Sequence, residues 1–254
     1  MPPLDNYITF GTDVIAENQE YKEMLFDYFF IAFKTPRLGQ QDHISACKLM
    51  ETILLNLPSQ VDAYLIQVLD VIRLRLSDEE EYKKPGYKVF LLEVIINGIY
   101  YNPSVTLQYL AHYNFVTRFF EMWFEEAERF LRVHDKTLSI LALMKVVQLP
   151  GEYLPVALQQ DGALSYLMKG MMKFFESLPE AIKRKPGGRL DWLIGREEAN
   201  DFDEEGSSVA AEGEGEWNED ESWSDTEDSH DVADEAQEYL DFLAEQVVLA
   251  LTIN

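Results

Sequence analysis

The stretch NQEYKEMLFDYFFIAF, residues 18–33, decides the fold class of this chain. Its apolar residues recur every three or four positions, which is the spacing that places side chains on one face of a helix. These residues are Tyr21, Met24, Leu25, Tyr28, Phe29 and Phe33. Phe26 and Phe30 widen the stripe, which predicts a helix that is covered on two sides. Pro36 and Gly39 then end the helix.

The same spacing recurs along the chain in segments that Pro and Gly residues separate. The predicted helices cover residues 44–57, 61–76, 87–101, 104–112, 115–130, 138–149 and 164–178. Side chains that cap helix N-termini precede five of them. These predicted caps are Asp42, Ser59, Ser104, Asn114 and Asp135. Residues 1–16 show no clear period, and no segment alternates as a strand would, so the sequence predicts an all-α fold.

Helices of about 15 residues, paired at an interval of roughly 40 residues, are typical of helical-repeat solenoids. The repeat is weak in residue identity, however. A plain helical bundle would show a similar periodicity, so periodicity alone leaves both architectures open.

The charge of the chain is concentrated in one segment. The 254 residues carry a net charge of −25, and residues 197–245 hold 21 acidic residues and no Lys or Arg. Self-repulsion and low hydrophobicity keep such a segment from collapsing by itself. An amphipathic pattern then resumes at Ala236, Tyr239, Leu240, Leu243, Val247 and Leu251. We therefore predict helical repeats over 1–196, a disordered acidic loop over 197–233, and a helix over 234–254 that returns to the solenoid.

The composition excludes several classes of function. The strong acidity argues against nucleic-acid binding, because that needs cationic side chains to displace counterions. Cys47 is the only cysteine, which fits a reducing compartment. No apolar run is long enough for a membrane span, and the N-terminus lacks a secretory pattern, so a cytosolic or nuclear location is expected.

No catalytic or metal-binding motif is found in the sequence, which predicts neither an enzyme nor a cofactor. The four histidines are scattered without ligand spacing. His134 and Asp135 are adjacent and raise the possibility of an acid–base pair. We favour the interpretation that Asp135 caps a helix N-terminus.

The acidic tract contains three aromatic residues, Phe202, Trp217 and Trp223. This pattern fits a tract that binds a partner with cationic and apolar surface. A tract that acts only as a solvated spacer is an equally good interpretation.

The basic cluster 183–189 resembles a nuclear-localisation string, but we favour the interpretation that it is a helix C-terminus whose cations attract the acidic tract. Ser222 and Ser224 each have an acidic residue three positions later, which predicts phosphorylation by an acidophilic kinase.

Four strings of the sequence resemble one protein family when they are taken in order. They are residues 4–9 (LDNYIT), 100–103 (YYNP), 134–136 (HDK) and 237–246 (QEYLDFLAEQ). Together with the acidic tract, they resemble the C-terminal part of the karyopherin-β (importin-β superfamily) nuclear import receptors, of the importin seven/eight type and its fungal counterparts. The resemblance covers nearly the whole chain.

The resemblance implies a right-handed superhelix of HEAT repeats that binds basic cargo, such as ribosomal or histone-like proteins. It also implies contact with the Phe-Gly repeats of nucleoporins, and a location in cytoplasm, nucleus and nuclear envelope. The main Ran-GTP surface of the family lies in N-terminal repeats that nothing here matches. We therefore expect Ran-GTP to bind the full-length receptor outside this chain, which is then a fragment or a late-starting gene model.

Cargo contact is carried over from the family for the acidic tract as a whole. The candidate cargo-binding residues are Asp203, Glu204, Glu205, Trp217, Glu219, Asp220, Glu221 and Trp223. The alternative function is an acidic chaperone or scaffold for basic proteins that has no transport activity. A truncated solenoid would also expose an apolar end, which predicts self-association.

Overall fold

A computed structural model of the chain describes residues 2–78 and 85–183. Within these ranges the regular structure is helical, and no strand is present. The α-helices are α1 (Pro2–Phe10), α2 (Thr12–Glu17), α3 (Gln19–Lys34), α4 (Gln40–Asn56), α5 (Asp62–Ser77), α6 (Pro85–Tyr101), α7 (Pro103–His112), α8 (Val116–Glu125), α9 (Val133–Val147) and α10 (Ala163–Lys183). Short 3-10 turns lie at Ala127–Arg129, Gly151–Tyr153 and Val156–Leu158. The prediction of an all-α fold is confirmed.

The helices stack in two rows. In the first row, α1 packs on α4, α4 on α6, α6 on α9 and α9 on α10. In the second row, α3 packs on α5 and α5 on α7, while α3 also contacts α4 and α5 also contacts α6. Each helix thus touches mainly the next helix in its own row and a nearby helix of the other row, which is the arrangement of a solenoid rather than of a closed bundle.

Helix α6 lies at the centre of the stack. It contacts α4, α5, α7 and α9, and from Leu91 to Ile99 every residue is buried. A helix that is apolar on all sides has to be covered on all sides. The very apolar composition of residues 87–101 therefore explains why this helix occupies the middle of the fold.

Helix boundaries differ from the predicted ones where capping was assigned from residue type. Asn18 caps α3 through its side chain, which accepts hydrogen bonds from the amides of Glu20 and Tyr21. Asn102, rather than Ser104, caps α7 by accepting from the amide of Val105, and Pro103 occupies the first helical position, where it needs no donor.

The other four predicted caps are also displaced from the N-cap positions. Asp42 lies inside the first turn of α4 and accepts a hydrogen bond from the amide of Gly39. Asp135 likewise lies inside the first turn of α9. Ser59 and Asn114 have positive φ angles of 59° and 52° and precede the N-cap positions of α5 and α8. Residue type therefore predicted where the turns lie, but the first residue of each helix depends on packing.

Two predicted segments have a different structure. Residues 1–16, which show no clear period, form most of α1 and α2. Residues 115–130 are not one helix, because α8 ends at Glu125 and a 3-10 turn follows. The apolar register of that segment is nevertheless confirmed, since Phe119, Trp123 and Phe130 are all fully buried.

Helix α10 is the last described element and runs five residues beyond its predicted end. It passes through Pro179, which lies within the helix. The predicted boundaries at residues 196 and 233, the acidic loop and the returning helix 234–254 lie outside the described residues.

Candidate binding surfaces and a buried ionic cluster

The predicted site residues are not among the described ones. Asp203, Glu204, Glu205, Trp217, Glu219, Asp220, Glu221 and Trp223 lie outside them, as do Ser222 and Ser224. Residues 184–189 of the basic cluster lie outside them as well. The binding surfaces that the structure itself offers are therefore found on α1–α10.

Helices α1, α2 and α3 carry a first group of exposed apolar residues, which is here called the N-terminal apolar face. Met24 and Ile31 on α3 are 61% and 58% exposed, while Leu25 and Phe29 of the same helix point into the core. The complete set of large exposed apolar residues on this face is Tyr7, Phe10, Val14, Tyr21, Met24, Tyr28 and Ile31. The predicted stripe of α3 is therefore split, because only part of it is buried.

The second surface is the outer stripe of α10. The inner face of this helix is buried at Leu167, Met171, Phe174, Leu178 and Ala181. About 100° around the helix, a second set of apolar residues is only partly covered. These outer-stripe residues are Leu164, Met168, Met172, Phe175 and Pro179, of which Leu164 and Met172 are the most exposed.

A third surface lies where α5 meets α7. Arg73 stacks over the ring of Tyr113 at 3.9 Å and donates hydrogen bonds to Tyr109 and Asp70. Tyr109 in turn donates its hydroxyl to Asp70 at 2.7 Å. The hydrogen bonds from Arg73 and Tyr109 lower the pKa of Asp70. This polar clasp joins the two helices, and Tyr113 itself is 44% exposed.

Inside the stack, α4, α6 and α9 meet at a buried ionic cluster. Arg132 is its central cation, and it lies 2.8 Å from Asp135, 3.1 Å from Glu93 and 3.4 Å from Glu51. His134 contributes a second contact, from Nε2 to Glu51 at 2.6 Å. Three carboxylates from three helices thus share one guanidinium and one imidazole.

Burial and charge set the protonation of this cluster. Burial raises the pKa of Glu51, but Arg132 and His134 outweigh it and hold the pKa at about 2. For Glu93, burial and the neighbouring Asp135 raise the pKa well above its ordinary value, against the effect of Arg132. Burial lowers the pKa of His134, and the hydrogen bond to Glu51 reverses this so that the pKa is raised.

The cluster corrects the prediction for residues 134 and 135. Asp135 bonds Arg132 rather than the start of α9, and His134 bonds Glu51 rather than Asp135, so neither the capping role nor the acid–base pair is formed. Burial raises the pKa of the nearby Cys47 thiol, further supported by Glu93 and Glu51, which keeps this cysteine unreactive. The geometry is that of an ionic cross-link between helices.

Sequence analysis identified neither this cluster nor the exposed apolar faces as features of interest. One signal was available: Glu93 is the only acidic residue in the apolar run 87–101, and an ionisable residue in a buried helix requires a partner. Its ion-pair partner Arg132, and Glu51, which shares this cation, lie about 40 residues away on either side. Their proximity follows from the stacking of α4, α6 and α9, which the sequence alone does not specify.

Two features are absent from the described residues. Across residues 2–78 and 85–183, no helix has the length and apolarity of a membrane span. In the same part of the chain, no group of three or more His, Cys, Asp or Glu side chains is placed to hold a metal ion.

The two stacked rows and the surfaces at their ends define the class of protein as an α-solenoid, a scaffold that binds through extended surfaces. Comparison with known proteins then shows which proteins the chain is similar to. The chain is 36% identical over 149 residues to a probable importin-7 homolog of Dictyostelium discoideum, covering 58% of this chain and 14% of that protein. It is 28% identical over 197 residues to the importin beta-like SAD2 homolog of Arabidopsis thaliana, covering 71% and 18%.

A third relative is human importin-8, which is 26% identical over 157 residues and is matched over 15% of its length. No protein-family model and no solved structure matches the chain. These similarities agree with the resemblance to the importin-β superfamily, in particular to its importin-7/8 type, and the stacked helices are consistent with the HEAT-repeat solenoid of that superfamily. It spans about one sixth of the length of these relatives.

Proposed function

We propose that the chain is part of a nuclear import receptor that binds basic cargo proteins and supports their Ran-dependent transport through the nuclear pore. The observation that carries this proposal is the similarity to proteins named as importins, which extends over up to 71% of the chain. The role is binding rather than catalysis. The proposed transport function implies a location in the cytoplasm, in the nucleus and at the nuclear envelope.

The proposed cargo site is the acidic tract, residues 197–233, supported by the solenoid. Charge is segregated along the chain, because residues 1–196 hold 21 basic and 25 acidic residues and are nearly neutral. A concentrated negative field attracts cationic partners over long distances and accelerates encounter, and salt weakens it. This charge distribution favours ribosomal or histone-like cargo, in which Lys and Arg are abundant.

Phosphorylation of Ser222 and Ser224 would strengthen the field, since each phosphate adds about −1.5 to −2 charges at pH 7. Mass spectrometry of protein isolated from cells tests this part of the proposal. Phosphate on either serine would support it. Complete coverage of unmodified peptides under all growth conditions would oppose it.

Nucleoporin Phe-Gly repeats are proposed to bind apolar side chains on the helical rows. Ile66 and Leu74 of α5 are 44% and 54% exposed and lie beside the clasp with α7. Ran-GTP is proposed to bind the longer receptor outside this chain, because the chain matches only a small share of its relatives.

Cargo binding is tested with three proteins: the intact chain, a variant without residues 197–233, and a variant in which an uncharged Gly/Ser linker of equal length replaces them. Each is immobilised and exposed to purified core histones at low and high salt. Retention only by the intact chain, lost at high salt, is the expected result. Equal retention by the linker variant would contradict the proposal, because that variant keeps the loop length and removes only its charge.

An acidic chaperone or scaffold for basic proteins is the second candidate, and the charge segregation by itself would suffice for it. Immobilised Phe-Gly peptides separate the two functions. A transport receptor is expected to bind them, and exchange of Ile66 and Leu74 for Asp should weaken the binding. Retention of histones without any binding of Phe-Gly peptides would favour the chaperone.

A further inference from the structure

Among the described residues, α10 is the last helix of the first row, and one apolar side of it is only partly covered. The row runs from α1 through α4, α6 and α9 to α10, and each member except the ends is covered by two neighbours in the row. The inner face of α10 packs on α9, and Lys136 of α9 donates a hydrogen bond to Ser177 at 2.7 Å. The outer stripe, centred on Met172, has the composition of a face that packs on another helix.

The length of the outer stripe defines the kind of element that could cover it. From Leu164 to Pro179 the stripe spans four turns, or about 22 Å at 1.5 Å per residue. Partial exposure along this whole length is typical of a surface that another helix covers, rather than of a pocket for a small ligand.

The chain itself supplies a segment of matching length and pattern. Residues 236–251 repeat apolar side chains at helical spacing over 15 residues, which is also about 22 Å in a helix. Fifty residues, 184–233, connect this segment to the end of α10. A random-coil chain of that length has a root-mean-square span of about 40 Å, which is enough to reach any point along α10.

The connection supports this contact more than charge does. Residues 234–254 contain five acidic residues and no basic one, whereas the exposed charges beside the outer stripe of α10 are mixed, with Lys169 and Lys173 next to Glu176 and Glu180. Because the connection holds the segment at an effective concentration in the millimolar range, even a modest apolar contact would be populated.

We propose that residues 234–254 form a helix that docks on the outer stripe of α10 and closes this end of the solenoid. The acidic tract is then fixed at both of its ends, beside α10. This docking does not depend on the cargo-binding proposal, since it concerns contacts within one chain.

Hydrogen–deuterium exchange of the intact chain tests the docking. The amides of residues 236–251 are expected to exchange at least about tenfold more slowly than in an isolated peptide of the same sequence. Met172→Asp on the outer stripe should abolish this protection, and Leu164→Asp should do the same. The matched control is Ile66→Asp on α5, which is similarly exposed and should leave the protection unchanged.

The amides of α9 serve as an internal control, because their protection shows that the stack remains folded in each variant. A second measurement uses Met172→Cys combined with Leu243→Cys and a short bismaleimide. The two positions lie near the centres of the stripe and the segment, so an intrachain cross-link is expected for either orientation, whereas Ile66→Cys with Leu243→Cys should give none. Cys47 is buried and does not interfere.

Three results would overturn the proposal. The first is exchange of residues 236–251 at the rate of the free peptide in the intact chain. The second is protection that survives both Asp variants. The third is protection in residues 190–194, the short apolar run LDWLI, that responds to Met172→Asp while residues 236–251 remain unprotected. None of these results bears on the binding of basic proteins, which is measured separately with the linker variant.

Discussion

The centre and the ends of the solenoid place their apolar and charged residues in opposite ways. At the centre, α6 is surrounded by four helices, and even its one acidic residue, Glu93, is buried and held by Arg132. At the ends, the N-terminal apolar face and the outer stripe of α10 leave large apolar side chains such as Met24 and Met172 half-exposed or more.

This difference shows how the repeat is stabilised. Each helix buries its inner face against a helix that it packs on within the stack, but its second face is covered only when a further neighbour stacks on it. The centre therefore tolerates an ionic cluster, because packing from all sides holds the three carboxylates and Arg132 in place. The ends have the apolar surface that further elements would cover.

The strongest test of the centre is Arg132→Ala. This change removes the shared cation and leaves Glu51, Glu93 and Asp135 buried together, so the free energy of unfolding should fall by about 3–5 kcal/mol. Urea denaturation followed by circular dichroism measures the loss. Arg129→Ala is the control, because Arg129 is mostly exposed and its partner Glu126 also pairs with Lys88, and it should cost about 1 kcal/mol or less. Equal losses for the two variants would show that the cluster is no stronger than a surface pair.

A smaller effect is expected where α10 joins the stack. Gly170 lies against the ring of Phe124, and a Cβ at this position would come within 2.3 Å of that ring. Phe124 is held between Phe120 and Tyr166 and cannot move aside freely. Gly170→Ala gains about 1 kcal/mol of helix propensity, but overpacking costs about 1–3 kcal/mol.

We therefore expect a net loss of up to about 2 kcal/mol for this variant in the same denaturation experiment. Gly151→Ala is the control, since nothing lies within 4 Å of the added methyl group. A stabilised Gly170→Ala variant would mean that α10 shifts easily on the stack.

The pH dependence of stability provides a further test of the ionic cluster at the centre. The folded-state pKa of Glu93 is raised, so its contribution to stability is largest below its unfolded pKa near 4.5 and is lost as the pH rises through the folded value. Glu93→Gln cannot titrate. Relative to this variant, the wild type should therefore lose at least about 1 kcal/mol between pH 5 and pH 8.

His134 also has a raised pKa and loses its contribution with rising pH, but it is present in both proteins and largely cancels in the difference. Glu51 acts in the opposite direction: its contribution is present above pH 4.5 and is lost as the pH falls toward 2. If the difference in the free energy of unfolding between the wild type and Glu93→Gln did not change with pH, the protonation assigned to Glu93 would be contradicted.

The smallest effect on stability is expected at the N-terminal apolar face. Ile31→Glu replaces a side chain that is 58% exposed, so the free energy of unfolding should change by no more than about 0.5 kcal/mol. The same change should reduce self-association of the chain, which sedimentation velocity at several concentrations measures. Leu74→Glu on α5, with similar exposure, should leave self-association as it is. Identical sedimentation of the two variants would show that self-association does not take place through the N-terminal apolar face.

Periodic apolar residues predicted the helices well, because burial of one face is a local property of a helical sequence. The stretch around Phe29 and the run that ends at Tyr101 are helices at nearly the predicted positions. The resemblance to importins came from short strings in a fixed order, and it agrees with the family found by comparison.

The rest depends on contacts between distant residues. Asp is a residue type that often caps helices, yet Asp135 pairs with Arg132. The reason is that α9 begins at Val133, two residues before Asp135, and packs on α6. Tyr21 and Leu25 belong to the same apolar stripe in the sequence, but only Leu25 is buried. The periodicity of a helix does not show how many other helices pack on it, so it could not predict this difference. The predicted binding residues, from Asp203 to Trp223, lie outside the described residues and stay predictions.

Pro179 has a mechanical consequence for the end of α10. Proline has no amide hydrogen, so the carbonyl of Phe175 cannot receive the bond that normally links one helical turn to the next. The final turn is thus joined to the rest of the helix more weakly than the turns before it, although Leu178 remains anchored in the core. A pulling force on the residues that follow should therefore unwind this turn first and leave the α9–α10 contact intact. Pro179 would in this way limit the force that reaches the rest of the stack.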